Sequence, residues 1–229
     1  MKNITKLLTA FAWSMTLLAA PAFAGVEDDV AKLQHDWERV KYQTPKAEQE
    51  KDYEQLLKEA DKAVAQNPNR AETLIWHGII EASYAGAKGG LGGLSMAKSA
   101  KSAFEQALEI DPNALSGSAY TSLGSLYYQV PGWPIGFGDD KKALVFLKKG
   151  LALNPDGIDP NYFYGDFLFR AGDLDNAERV LRKALQAAPR SGRKISDEGR
   201  RGEINQLLDK IAAKRLSLIH ISEPTRLGM

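Results

Sequence analysis

Apolar residues along the chain recur at helical spacing, and four of these patterns run into a proline: NP at 67–68, DP at 111–112, NP at 154–155 and AP at 188–189. Proline lacks a backbone donor and ends a helix. Upstream of three of them lies the same order of small and bulky residues. The sets are Ala100, Phe104, Ala107, Pro112; Ala143, Leu147, Gly150, Pro155; and Ala177, Leu181, Ala184, Pro189. Small residues at these points let two helices approach closely. After the last proline, Ile204, Leu207, Leu208 and Ile211 form one apolar stripe, which predicts a final amphipathic helix.

A second spacing precedes each set. Tyr120, Leu123, Gly124 and Tyr127 fit W-x2-L-G-x2-Y with tyrosine in the first place. Leu74 with Gly78, and Asn161 with Gly165, hold the corresponding first and glycine positions in the copies on either side. The interval from Pro155 to Pro189 is 34 residues. In these features the chain resembles the tetratricopeptide repeat, a helix–turn–helix unit of 34 residues. A degenerate first copy is marked by Trp37, Ala60, Ala63 and Pro68.

The resemblance implies an all-α solenoid of stacked helix pairs, because one pair cannot bury its apolar face alone. The expected repeats span roughly 37–69, 71–113, 117–156 and 158–190, within a domain at 25–215. The segment at 196–215 is the expected C-terminal capping helix, and VEDDVAKLQHDWERV the closure of the other end.

Two copies depart from the pattern. From the repeat glycine to the following alanine it requires 12 residues, as in Gly165 to Ala177. Gly78 to Ala100 is 22 and Gly124 to Ala143 is 19. The ten and seven extra residues fall at the turn inside each pair, so AGAKGGLGGLS and QVPGWPIGFGD are expected as expanded turns lying side by side on one edge. The first is rich in permissive glycine. The second is stiffened by Pro131 and Pro134 and carries Trp133, Ile135 and Phe137. Two roles stay open for it: packing of its rings on glycine backbone with Asp139 or Asp140 capping the next helix, or a lid at the mouth of the groove. Exported repeats with expanded turns are similar to the T component of TRAP-type solute transporters, and more closely to a broad set of exported bacterial repeat proteins.

In this family the first helix of each pair lines the concave groove. Carried over position by position, that gives Ile75 and Ile79; Thr121, Ser125, Tyr128 and Gln129; and Tyr162, Asp166, Phe169 and Arg170. Relatives that grip a peptide carboxylate use Lys and Asn at the first two positions. Here the pairs are Ile75/Ile79, Thr121/Ser125 and Tyr162/Asp166, so that clamp is not expected. With Trp133 and Phe137 these residues predict an apolar, aromatic groove for a protein or peptide partner or a small hydrophobic molecule. A closed pocket built from Trp133, Phe137, Tyr128, Tyr162 and Phe169 would favour the small molecule. An open groove beside an exposed apolar patch would favour a protein.

The termini change the picture. MKNITK, the apolar run LLTAFAWSMTLLAA and PAFAG, with Ala22 and Ala24 in an A-x-A arrangement, read as an export signal cleaved after Ala24. The expected location is outside the cytoplasm, periplasmic in a Gram-negative cell. Residues 216–229 differ in character from the basic IAAKR before them. Leu216–Arg226 reads like a translated sequencing adapter, and the segment is set aside with its His220.

Composition narrows the function classes. Lys plus Arg is 30 and Asp plus Glu 29, a net charge of +1, and this balance gives no general reason to expect nucleic acid or an anionic membrane as partner. Once the export signal is removed, no membrane span is expected either. There is no cysteine, which excludes disulfides and thiolate chemistry. His35 and His77 share no metal-ligand spacing, and no G-x-S-x-G element exists. GGLSMAKS at 92–99 misses the second glycine of a phosphate loop and lacks a preceding strand. No catalytic residue, metal or cofactor is expected. RSGRKISDEGRR gathers Arg190, Arg193, Lys194, Arg200 and Arg201 near the last helix, either as a solvated linker or as a patch for an acidic partner.

Overall fold

A computed structural model describes residues 21–222. The predicted export signal lies outside the described residues up to position 20, and the end of the tail does so from 223. The described chain forms nine helices: α1 (Pro21–Tyr42), α2 (Lys46–Gln66), α3 (Ala71–Lys88), α4 (Gly90–Ile110), α5 (Ala114–Gln129), α6 (Asp140–Leu153), α7 (Ile158–Arg170), α8 (Leu174–Leu185) and α9 (Lys194–Ser222). No strand occurs among the described residues, and one isolated bridge joins Gly132 to Gly138.

The helices pack as successive antiparallel pairs, and the repeat glycine sets each pairing. A Cβ at Gly78 would stand 2.7 Å from the Phe104 ring, one at Gly124 2.8 Å from Leu147, and one at Gly165 2.7 Å from Leu181. In three pairs the same bulky residue of the second helix fills the space left by the same glycine of the first. All three bulky residues are buried in one continuous core. Tyr127 and Phe146 stack at 5.6 Å and 7°, and Tyr120 stacks on Phe146 at 6.2 Å and 25°, which joins α5 to α6. The left-handed backbone of Leu115, Ser116 and Gly117 delays the regular part of α5 until after Gly117.

The first pair is made by α1 and α2. Val26, Val30, Leu33, Trp37 and Val40 give α1 one buried stripe, which joins Tyr53, Leu56, Trp76 and Ile80 in an N-terminal cluster.

The two insertions behave differently. The second is a true loop over 130–139, and Asp139 caps α6 by accepting from the backbone N–H groups of Lys141 and Lys142 at 2.9 and 3.0 Å. The first is not an expanded turn. Its residues lengthen α3 and α4, and the break narrows to Gly89 and Gly90 at φ +65° and +57°. Gly93 explains the difference, since a Cβ there would meet the Ala85 carbonyl oxygen at 2.6 Å. The glycines let the extended helices touch, and that contact outweighs their poor helix propensity. The insertions are neighbours, as expected: a Cβ at Gly136 would lie 3.3 Å from Leu94.

The final helix does more than cap. Ile204, Leu207 and Ile211 are buried in the main core, as their stripe predicts. Arg201 donates to the carbonyls of Leu185 and Ala187, two acceptors that the end of α8 leaves unpaired. The first turns of α9 continue across to α1, where Gly199 lies so close to Tyr42 that any Cβ at 199 would run into the ring. The last helix therefore touches the first.

Candidate functional site

The first helices of the pairs and the inner side of α9 enclose a groove of about 1240 Å³. Ile79, Thr121, Ser125, Gln129, Tyr162, Asp166 and Arg170 line it. Ile75 does not: it is fully buried in the core with Phe104 and Ala107, and only Ile79, one turn on, reaches the groove. Thr121 is mostly committed to a helix contact, because its Oγ1 occupies the space where Gly150 lacks a Cβ.

The five residues whose closure into a pocket would favour a small molecule do not converge on the groove. Tyr128 packs edge-on against Phe167 and donates its hydroxyl to Asp166 at 2.8 Å. Burial, with the Asp166 charge, pushes that phenol well above its ordinary pKa. Phe169 faces Lys214 at 5.4 Å, and Phe137 packs edge-on against Tyr127 at 5.6 Å. Trp133 is 90% exposed and lies outside the groove. Of the five, only Tyr162 lines it. The rings of Trp133 and Phe137 are four residues apart in a loop without periodicity, and the chain turns one outward and the other inward.

The groove is also less apolar than expected. Its N-terminal half carries Trp37, Tyr42, Tyr53 and Trp76, which the repeat pattern did not mark as lining. Trp37 and Trp76 meet edge-on at 5.8 Å, and Trp37 Nε1 donates to Ser83 at 2.8 Å. The Tyr53 hydroxyl also approaches Ser83, without a hydrogen bond of good geometry.

The opposite wall is a charge network, and it accounts for the basic cluster at 190–201. Asp159 at the start of α7 accepts from Arg190 at 2.6 Å and from Arg200 at 2.8 Å. Arg190 also binds Asp197 and Arg200 also binds Glu203, at 2.7 and 2.6 Å. The Arg200 guanidinium lies 4.3 and 4.8 Å from the rings of Tyr162 and Phe163. Burial alone would raise the Asp159 pKa, yet Arg200 and Arg190 outweigh it and bring it down to about 2. Burial raises Tyr162 to about 12, with Arg200 pulling the other way.

Beyond this hub, Glu38 of α1 is 2% exposed and accepts from the backbone N–H and hydroxyl of Ser196, at 3.2 and 2.7 Å. Arg193 stands 3.6 Å from Glu38 and 5.1 Å from the Trp76 ring, and burial and Arg190 lower its pKa. Arg190, Arg193 and Arg200 are thus neither a solvated linker nor a free patch. They bind α9 to α7 and α1. Asp197 and Glu203 lie close in sequence, but Asp159 and Glu38 are distant, so local patterning could not reveal that the cluster ties α9 to α7 and α1.

His77 is held by Asp61 at 2.7 Å and faces Glu81 at 3.4 Å. Burial works against its protonation, but the two carboxylates prevail and its pKa is raised. Among the described residues no group of His, Cys, Asp and Glu side chains is arranged to hold a metal, and no helix is long and apolar enough to cross a membrane.

Comparison with known proteins identifies the repeat. One tetratricopeptide-repeat family model matches residues 135–194 and another matches residues 94–114. A search of curated proteins found no match. Similar solved structures include TTC0263, a thermophilic TPR protein of Thermus thermophilus, at 18% identity and TM-score 0.43, covering 80% of this chain and 98% of that one. Another is MamA from residue 41 onward of Desulfovibrio magneticus RS-1, at 18% identity and TM-score 0.42, covering 86% and 98%. Residues 94–114 and 135–194 carry the tetratricopeptide repeat, and the described residues fold as an all-α solenoid of the tetratricopeptide-repeat type.

Proposed function

We propose that this protein is an exported, non-enzymatic scaffold that holds a segment of a protein partner in its concave groove. The observation that carries the reading is the groove itself: open, about 1240 Å³, and lined by both aromatic rings and hydrogen-bonding side chains. Backbone groups of an extended segment need such partners, and aromatic side chains supply most of the contact energy at interfaces. Lys46 and Lys210 line the groove without an ion pair among the described residues, which suits a segment bearing carboxylates. A small hydrophobic solute is served less well, since Trp133, Phe137, Tyr128 and Phe169 stay off the groove and leave it open.

Site-specific photo-crosslinking in the native host tests the reading. A crosslinker at Gln129 or Lys46 should yield one discrete protein adduct, and one at Lys148 on the outer side of α6 should not. Arg170→Glu should reduce the groove adduct several-fold while the helical circular dichroism signal stays constant. No adduct at the groove positions, together with a small molecule retained in native mass spectrometry, would replace the scaffold reading with solute binding.

A further inference from the structure

The edge built from the two insertions carries an apolar tip that nothing among the described residues covers. Trp133 is 90% exposed, Leu91 84% and Ile135 65%. Leu91 lies one helical turn before Leu94, which approaches Gly136, so α4 and the loop bring these residues to one edge. None of the three lines the groove. The loop is held firmly beneath them. Phe137 packs on Tyr127, Asp139 N–H donates to the Tyr127 carbonyl at 2.8 Å, and Gly138 N–H donates to the Pro131 carbonyl at 3.0 Å. The tip is therefore presented on a built support, which sets it apart from scattered single exposed residues.

Lysines gather at this edge: Lys88, Lys98, Lys101, Lys141 and Lys142 lie in residues 85–101 and 130–142, with Asp139 and Asp140. Lys88 is paired with Glu50 at 3.1 Å and Lys101 with Glu105 at 2.6 Å. Asp139 is already occupied as the α6 cap. Lys98 and Lys141 are exposed and make no ion pair among the described residues.

We propose that this edge is a peripheral docking surface for an anionic lipid bilayer. The occupant follows from shape and charge together. Three protruding apolar side chains are a poor match for a flat protein surface, but they can enter the boundary between headgroups and acyl chains. Tryptophan favours that boundary, because its ring is apolar and its N–H is polar. Lysines beside the tip would meet lipid phosphates, each adding modestly to binding near an anionic surface. Two weak signals of this kind give reversible attachment without a span. The surface is separate from the groove, so docking here does not depend on what the groove holds.

Vesicle flotation tests the proposal on the purified exported chain. The protein should float with vesicles containing phosphatidylglycerol and remain behind with pure phosphatidylcholine. Binding should weaken several-fold when salt is raised. Trp133→Ala with Ile135→Ser should lower partitioning about tenfold or more, with helical content and thermal midpoint unchanged. Lys98→Glu with Lys141→Glu should reduce it without touching the apolar tip. The emission of Trp133, taken as the difference from Trp133→Phe, should shift to the blue on anionic vesicles only. Absence of binding to anionic vesicles overturns the proposal. So does binding that the tip variant leaves intact, or a concentration-dependent dimer that the same variant abolishes, since the tip would then serve a second copy.

Discussion

Phe104→Ala is expected to lower the unfolding free energy by about 3–5 kcal/mol, the range for removing a fully buried aromatic ring. Phe104 has no exposed surface and fills the space opposite Gly78, in the most extensive helix pairing of the described chain. The equivalent positions in the next two pairs hold leucine at 147 and 181, so Phe104→Leu should cost much less, about 1 kcal/mol. The glycine is the other half of the contact. Gly78→Ala alone drives its Cβ to 2.7 Å from the ring and should be destabilising. In the Phe104→Ala background the same change gains helix propensity, about 1 kcal/mol, with no clash. Urea denaturation of the four proteins forms a double-mutant cycle, and a coupling near zero would refute the ring-on-glycine contact.

The second large effect concerns Asp159. Its carboxyl is lowered from the ordinary value to about 2 by Arg200 and Arg190. The sign follows directly: a depressed carboxylate stabilises the fold above its unfolded pKa and loses that contribution as pH falls through the folded one. A shift of this size corresponds to about 2 kcal/mol. Asp159→Asn should therefore be less stable than the parent by about 2 kcal/mol at pH 7. The loss stays at the lower end for a buried pair, because Arg190 keeps Asp197 and Arg200 keeps Glu203. The difference between parent and variant should shrink below about pH 4 and be nearly gone by about pH 2. Thermal melts across that window measure it. A constant difference at all pH values would mean that Asp159 acts by shape and not by charge.

Much of this fold is legible in the sequence, for reasons that particular residues make plain. Gly78, Gly124 and Gly165 recur at one place in the repeat because three bulky partners need the same space. Asp139 and Asp173 precede helices and cap them. The Gly-rich insertion was misleading, because glycine signals a turn by conformational freedom and a helix contact by small size. Only the second use applies at Gly93. On α3, α5 and α7 the groove residues were legible to within one helical turn, whereas Trp133 and Phe137 of the loop lie off the groove and its N-terminal aromatic residues were not marked. Ile75 and Ile79 look alike in sequence, yet one faces the core and the other the groove. The wall formed by α9 was not legible, because Glu38 and Ser196 meet across 158 positions of chain.

That last contact also changes how the molecule holds together in time. In an open array each unit leans only on its neighbours, so folding can start anywhere and the ends fray independently. Here α9 rests on α1, and the two ends are neighbours as well. Fraying at either end must break contacts at both, which joins the terminal units into one cooperative event. Contacts between such distant positions raise the contact order and slow folding relative to an open array of the same length. During synthesis α1 waits for this partner until α9 has been made. Loss of α9 should therefore register as increased hydrogen exchange in α1.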